Sequence, residues 1–148
     1  MINTLNSFKI FAINDYIVDF TIEEFDMLCY VVEREVRDST IEHKRLIAQV
    51  VINRVKNKDF PDTIYDVLIQ KNQFNSINNY YNPKFYPTVD TITAVYEVLC
   101  GDVEDTSQGA VYFYSPAISS QKASNWFEDT REFMFEFEVH RFFKNMEK

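Results

Sequence analysis

Glycine is almost absent from this chain, with two in 148 residues, and proline occurs four times. Flexible linkers and collagen-like repeats need one or both in quantity, so those architectures are excluded. Two cysteines, Cys29 and Cys100, are too few for a disulfide framework. Each falls on an apolar helical pattern and reads as a buried thiol, and no metal-ligand spacing accompanies them. Neither a metal nor a cofactor is expected. Positive charge is scarce as well: 15 Lys and Arg face 23 Asp and Glu, a net charge of −8. No basic stripe is present to release counterions, which excludes nucleic acid as a partner. No apolar run approaches membrane-spanning length. Residues 1–20 lack the basic start and unbroken apolar core of an export signal, so neither membrane insertion nor a signal peptide is expected. What the chain does have is apolar bulk, 46% hydrophobic with 14 Phe and 9 Tyr, enough for one sizeable core in a single domain.

Helical periodicity is clearest in two stretches. Phe25, Leu28, Cys29, Val32 and Val36 share one stripe at about 100° per residue. Thr21-Ile-Glu-Glu24 is a capping box, so this helix starts at residue 21 or 22. Glu35 lies at the rim of the stripe, roughly 80° from its centre, and Glu33 at the opposite rim. In the second stretch, residues 42 to 57, Leu46, Ile47, Ala48, Val50, Val51, Ile52 and Val55 cover almost the whole circumference. Such a helix is central to a domain. Asn53 points with Leu46 and Val50, so it should be buried and hydrogen-bonded there.

Elsewhere the pattern changes. Phe8 to Phe20 reads as two short strands around an Asn14-Asp15 turn, a candidate hairpin in an N-terminal extension of residues 1–20. Asp62 is a candidate N-cap for a short helix running through Gln70. Residues 71–87 form a loop dense in asparagine and aromatic residues. Thr88 or Asp90 opens a further helix, carrying Val95, Val98 and Leu99 and ended by Gly101. After an acidic loop, residues 110–114 and 133–139 alternate at period two and read as paired strands. The switch from 3.6 to 2 after Gly101 predicts an α+β fold.

A carboxyl at an apolar rim suits general acid catalysis, because partial desolvation favours the protonated form. A solvated rim glutamate pairing with Arg34 or Arg37 would produce the same pattern. Glu33 has nearly the same geometric claim as Glu35, and periodicity does not choose between them. Saccharide clefts combine stacking aromatics with amides and hydroxyls. Gln73, Ser76, Tyr112, Tyr114 and Trp126 have the chemistry for such a lining, and His140 heads an exposed-looking segment.

The order of motifs resembles the SleB/CwlJ-type cell-wall hydrolases, a family first known from spore-cortex lysis. Val31-Val-Glu-Arg-Glu-Val-Arg37 is similar to the family's Val-Tyr-Ala-Glu-Ala-Arg. Val50-Val-Ile-Asn-Arg-Val55 follows at the family's spacing, with Asn53 eighteen positions after Glu35. Phe60-Pro-Asp-Thr63 comes next, then Val67-Leu-Ile-Gln-Lys-Asn-Gln-Phe-Asn-Ser76. Gly109-Ala-Val-Tyr-Phe-Tyr-Ser-Pro116, Trp126 and His140-Arg-Phe-Phe143 complete the series. The resemblance covers about residues 25 to 144 and assigns residues 21–148 to one peptidoglycan-cleaving domain. It departs from the pattern between the two helices. There Ser39 stands where the family has glutamate, and His43-Lys44 where it has Gly-Gln.

The resemblance implies a lysozyme-like helical core with a small antiparallel sheet, and it makes Glu35 the catalytic acid. Asn53, Gln73, Ser76, Tyr112, Tyr114, Trp126 and His140 become the substrate-binding candidates, and Glu33 becomes dispensable. The implied reaction is cleavage of peptidoglycan glycan strands at the muramic acid–glucosamine bond by a lytic transglycosylase route. A lysozyme-type hydrolase of the same bond is one alternative. A non-catalytic glycan-binding or structural component of a phage particle is another. An acidic wall enzyme without an export signal fits delivery by a phage, as a lysis enzyme or with a tail or other assembly partner. Action within a spore is the other route.

Overall fold

The computed structural model describes residues 16–70, 73–74, 77–78, 80 and 86–147, in two compact units, residues 1–105 and 106–148. The first is helical: α1 (Ile22–Val36), α2 (Ile41–Val55), α3 (Ile64–Ile69) and α4 (Val89–Cys100). The second holds β1 (Tyr112–Tyr114), a 3-10 turn (Pro116–Ile118), α5 (Gln121–Thr130), β2 (Arg131–Phe137) and β3 (His140–Asn145). The expected α+β class, with helices before Gly101 and an antiparallel sheet after it, is what the chain adopts.

Each helix of the first unit starts where a side chain replaces a missing backbone acceptor. Thr21 and Glu24 form the expected capping box, each side chain accepting from the other's backbone N–H at 3.1 and 2.9 Å. Thr40, Thr63 and Thr88 cap α2, α3 and α4. Thr63, not Asp62, is therefore the α3 cap, and the hydroxyl accepts from Asp66 N–H at 3.1 Å. Helix α1 packs on α2 and α4, and Leu28, Val31 and Val32 of α1, Ile47, Ala48, Val51 and Ile52 of α2 and Ala94, Val95 and Leu99 of α4 are all fully buried. Each such side chain contributes roughly 1.5–3 kcal/mol by leaving water, less for alanine. Of the proposed N-terminal hairpin only residues 16–20 are described. They are not a strand. Ile17 N–H donates to Leu99 O at 2.9 Å, and Tyr16 packs edge-on against Phe20 and Tyr96.

In the second unit the sheet order is β1-β3-β2, all antiparallel. Residues 110–114 and 133–139 thus share a sheet but do not pair with each other, because β3 lies between them. Phe143 faces Tyr112 on one side and Phe133 on the other, and Phe142 faces Phe113 and Phe135. Met134 is the extra residue where the register shifts. β2 stops at Phe137 because Glu138 turns into the left-handed region at φ 52°. Helix α5, capped by Ser120, has no counterpart in the sequence reading.

Gly101 ends α4 at φ 72°, and a Cβ there would come within 2.9 Å of Ile17 Cγ2. Gly101→Ala should therefore lower stability by about 1–2 kcal/mol from the left-handed backbone alone. The contact with Ile17 adds to this. Urea denaturation followed by circular dichroism measures the loss, and an unchanged midpoint would refute it.

Candidate functional site

The two glutamates that periodicity could not separate occupy different environments. Glu35 is half-buried near the C-terminal end of α1. Glu33 is wholly buried. Its Oε1 accepts from Thr88 N–H at 2.8 Å, Thr88 Oγ1 at 3.0 Å and Thr91 Oγ1 at 2.5 Å, and its Oε2 accepts from Arg37 Nε at 2.8 Å. Burial alone pushes this carboxyl up. The hydrogen bonds from Thr91, the Thr88 amide, Arg37 and the Thr88 hydroxyl outweigh it, so the net displacement is below the ordinary value. Glu33 is ionised and engaged, which removes it as a proton donor. It is also buried, not at the rim where periodicity placed it. The stripe at residues 25–36 is only one of α1's contact faces, and α4 packs on the side where Glu33 projects.

The polar cluster extends from there. Arg37 Nη2 donates to Tyr86 O at 3.2 Å, and buried Lys44 donates through Nζ to Thr88 Oγ1 at 3.3 Å. Ser39 Oγ lies 2.6 Å from Nδ1 of buried His43. The departures from the family pattern between α1 and α2 thus turn inward, as an internal Ser39–His43 pair and a Lys44–Thr88–Glu33 relay. No sequence signal within α1 pointed to Thr88 or Thr91, which lie more than fifty positions away.

Other candidates of the first unit sit on or beside α2. Asn53 is half-buried, not buried as expected, and its Oδ1 accepts from Gln49 Nε2 at 3.0 Å. The bond runs along one turn of α2. Gln73 is exposed in a turn, its N–H on Gln70 O at 3.2 Å. Ser76 lies outside the described residues. Arg54, Phe60 and Phe74, all within family motifs, meet as a stack, with Arg54 Cζ 5.0 Å from each ring centroid.

The second unit holds Tyr112, Tyr114, Trp126 and His140. Tyr112 and Tyr114 point the same way from β1 and are both buried. Tyr114 stacks on Phe127 at 4.6 Å and donates its hydroxyl to Glu128 Oε2 at 2.6 Å. Glu128 is clamped by Arg141 through Nε at 2.7 Å and Nη2 at 3.1 Å. That bidentate pair, with Tyr114, holds the Glu128 carboxyl below its usual value against the opposing effect of burial. Tyr112 meets Trp126 edge-on at 5.7 Å, and Trp126 is 42% exposed. His140 corrects the sequence reading. It is 6% exposed and edge-on to Phe113 at 5.1 Å, because β3 is the central strand of the sheet. Burial lowers its pKa to about 4, so the ring is neutral at pH 7. Among the described residues no cluster of His, Cys, Asp and Glu could hold a metal.

The sequence profile of the family described as Cell Wall Hydrolase matches residues 38–143. The match starts at Asp38, just past Glu35. Among solved structures, the catalytic domain of the germination-specific lytic transglycosylase SleB from Bacillus anthracis superposes with a TM-score of 0.72 at 23% identity, covering 84% of this chain and 97% of that one. The catalytic domain of the Bacillus cereus SleB protein gives 0.70 at 21% identity, covering 84% and 92%. These likenesses establish the fold. A search of curated proteins gives no match.

Two acid-sensitive groups follow from this geometry. A carboxyl held below its ordinary value of 4.5 contributes stability that is present above that pH and lost as pH falls through the folded value. Glu33→Gln should therefore cost about 1–3 kcal/mol at pH 7, and the gap to the parent should narrow below pH 4.5. His140, neutral in the fold, opposes folding as pH falls from 6.5 towards about 4, where only the unfolded chain takes the proton. His140→Gln should flatten that limb. Urea midpoints taken from pH 3 to 8 test both, and parallel curves for parent and variants would count against them.

Proposed function

Because the chain belongs to the cell wall hydrolase family, we propose that it cleaves peptidoglycan glycan strands at the muramic acid–glucosamine bond, with Glu35 as acid and base. The observation that carries this reading is the contrast on α1. Of the two glutamates near its end, Glu33 is locked as a carboxylate, while Glu35, at the family's spacing from Asn53, is half-buried. In the proposed cycle Glu35 protonates the glycosidic oxygen as it leaves C1 of muramic acid. The resulting carboxylate takes the proton from the C6 hydroxyl of the same sugar. That oxygen attacks C1, closing a 1,6-anhydro ring and returning the proton to Glu35. One carboxyl suffices, whereas two-carboxylate hydrolysis needs a second at a set distance. Nearby amide and hydroxyl dipoles would steady the oxocarbenium-like state.

The substrate reading is supported by the family and by the names of the solved relatives. Delivery by a phage, in lysis or with a tail particle, is proposed with it, and action within a spore is the alternative. A net charge of −8 gives no electrostatic pull towards an anionic wall, so an external carrier would bring the domain to its substrate.

Glu35→Gln keeps the shape of the side chain but cannot deliver a proton. It should reduce muropeptide release from purified peptidoglycan by at least about 10²–10⁴-fold, with the circular dichroism spectrum unchanged. Mass spectrometry of the products of the parent protein should find 1,6-anhydro ends. Reducing ends would mean hydrolysis by water, and full activity in the variant would remove Glu35 from its role.

A further inference from the structure

Arg131 differs from three other arginines of the chain. Arg37, Arg45 and Arg141 are each paired with a carboxylate: Glu33 at 2.8 Å, Glu97 at 2.8 Å and Glu128 at 2.7 Å. The side chain of Arg131, at the junction of α5 and β2, makes one hydrogen bond among the described residues, from Nη1 to Thr130 O at 2.9 Å. Its Nε is shielded from solvent and has no acceptor. None of the nearby acids Glu128, Asp129 and Glu132 is ion-paired with it, and Glu128 is held by Arg141 and Tyr114. The guanidinium sits in the corner between two nearly perpendicular rings, with Cζ 4.3 Å from the Trp126 centroid and 4.9 Å from that of Tyr112. The rings hold the guanidinium from two sides, and neither Nε nor Nη2 has an acceptor.

A charged guanidinium whose Nη2 has no partner, and is not among its shielded atoms, can take a carboxylate through a charge-assisted hydrogen bond. Here it stands beside a half-exposed indole, the surface on which a sugar ring stacks. We propose that Arg131, with Trp126 and Tyr112, forms a subsite for a carboxylate-bearing amino-sugar strand, Arg131 taking the carboxylate and Trp126 the sugar. This rests on the glycan-strand reading above and adds to it the group recognised. In a chain of net charge −8, an arginine without a carboxylate partner is a point at which an anionic group can be received. The carboxylate has two sources in such a strand, the lactyl group of muramic acid when no peptide is attached, or the peptide stem when one is.

Calorimetric titration separates these. The probes are glycan strands stripped of peptide by an amidase, stem-bearing muropeptide strands from the same wall, and chitin oligomers, which carry no carboxylate. Arg131→Gln should weaken binding of a carboxylate-bearing probe roughly tenfold to a hundredfold, the range of a lost charge-assisted bond. Chitin binding should stay within twofold, and the probe that responds identifies the source. Arg131→Lys, which keeps the charge without the fork, should fall between. On the parent protein, raising salt should weaken the carboxylate probes and spare chitin, a result independent of whether any variant folds. Equal losses on all three probes would show that Arg131 only buttresses Trp126, and no loss on any would remove the subsite. Muropeptide release by the parent is scored in parallel. Release with no Arg131 effect overturns the subsite alone, and absence of release overturns the glycan-strand reading itself.

Discussion

Helix α1 supplies acceptors to the starts of two other helices, and the first unit is organised by that arrangement. The first turn of a helix exposes N–H groups that carry the positive end of its dipole, and burying them without acceptors is costly. Glu24, near the beginning of α1, gives one carboxylate oxygen to its own capping box and the other to Tyr65 N–H at the start of α3, at 2.9 Å. Glu33, near the end of α1, gives its carboxylate to the amide and hydroxyl of Thr88, the cap of α4. One helix thereby fixes where two others begin. The geometry also explains how a fully buried carboxylate is tolerated. The cost of removing a charge from water is offset only when the remaining lone pairs are filled. Two threonines, a backbone amide and Arg37 fill those of Glu33.

The same constraint bears on the catalytic proposal. Glu33 and Glu35 are alike in charge and lie two positions apart, but they project in different directions from α1. The one that meets the α4 N-terminus becomes a fixed anion. The other remains half-buried. Separation of roles between two similar acids by environment alone is a recurring way of obtaining a proton donor beside a permanent carboxylate. Here the neighbouring carboxylate is structural.

Legibility in the sequence followed the range of the interactions. The Thr21–Glu24 box, the apolar faces of α1 and α2 and the Gly101 stop are local, and each was readable from a window of a few residues. The period-two stretches were equally readable as strands. Their pairing was not, because the residues of β3 look like the end of a strand hairpin until Phe142 and Phe143 are seen to serve partners on both sides. His140 was misjudged for the same reason, since a central strand buries what an edge strand exposes. Helix α5 escaped notice because it buries no residue completely, so its apolar signal is thin, although Ser120 was available as a cap. The fate of Glu33 depended on Thr88 and Thr91, partners too distant for any helical period to reveal.

Charge pairing shows the same logic at a larger scale. With acids in excess, each arginine has carboxylates to choose from, and pairs such as Arg45 with Glu97 or Arg141 with Glu128 are the expected outcome of folding. Surface pairs of this kind add little to stability, commonly below about 1 kcal/mol. Their effect is to set orientation: Arg141 aligns Glu128, and Glu128 in turn fixes the hydroxyl of Tyr114. That chain of contacts occupies Glu128 and leaves the Arg131 guanidinium oriented by the rings and by its bond to Thr130 O. An aromatic face holds a cation without neutralising its hydrogen-bonding edge, whereas a carboxylate partner would occupy that edge. The residues that order the Tyr114 side of the sheet therefore also determine that the Trp126 side keeps an uncommitted positive group.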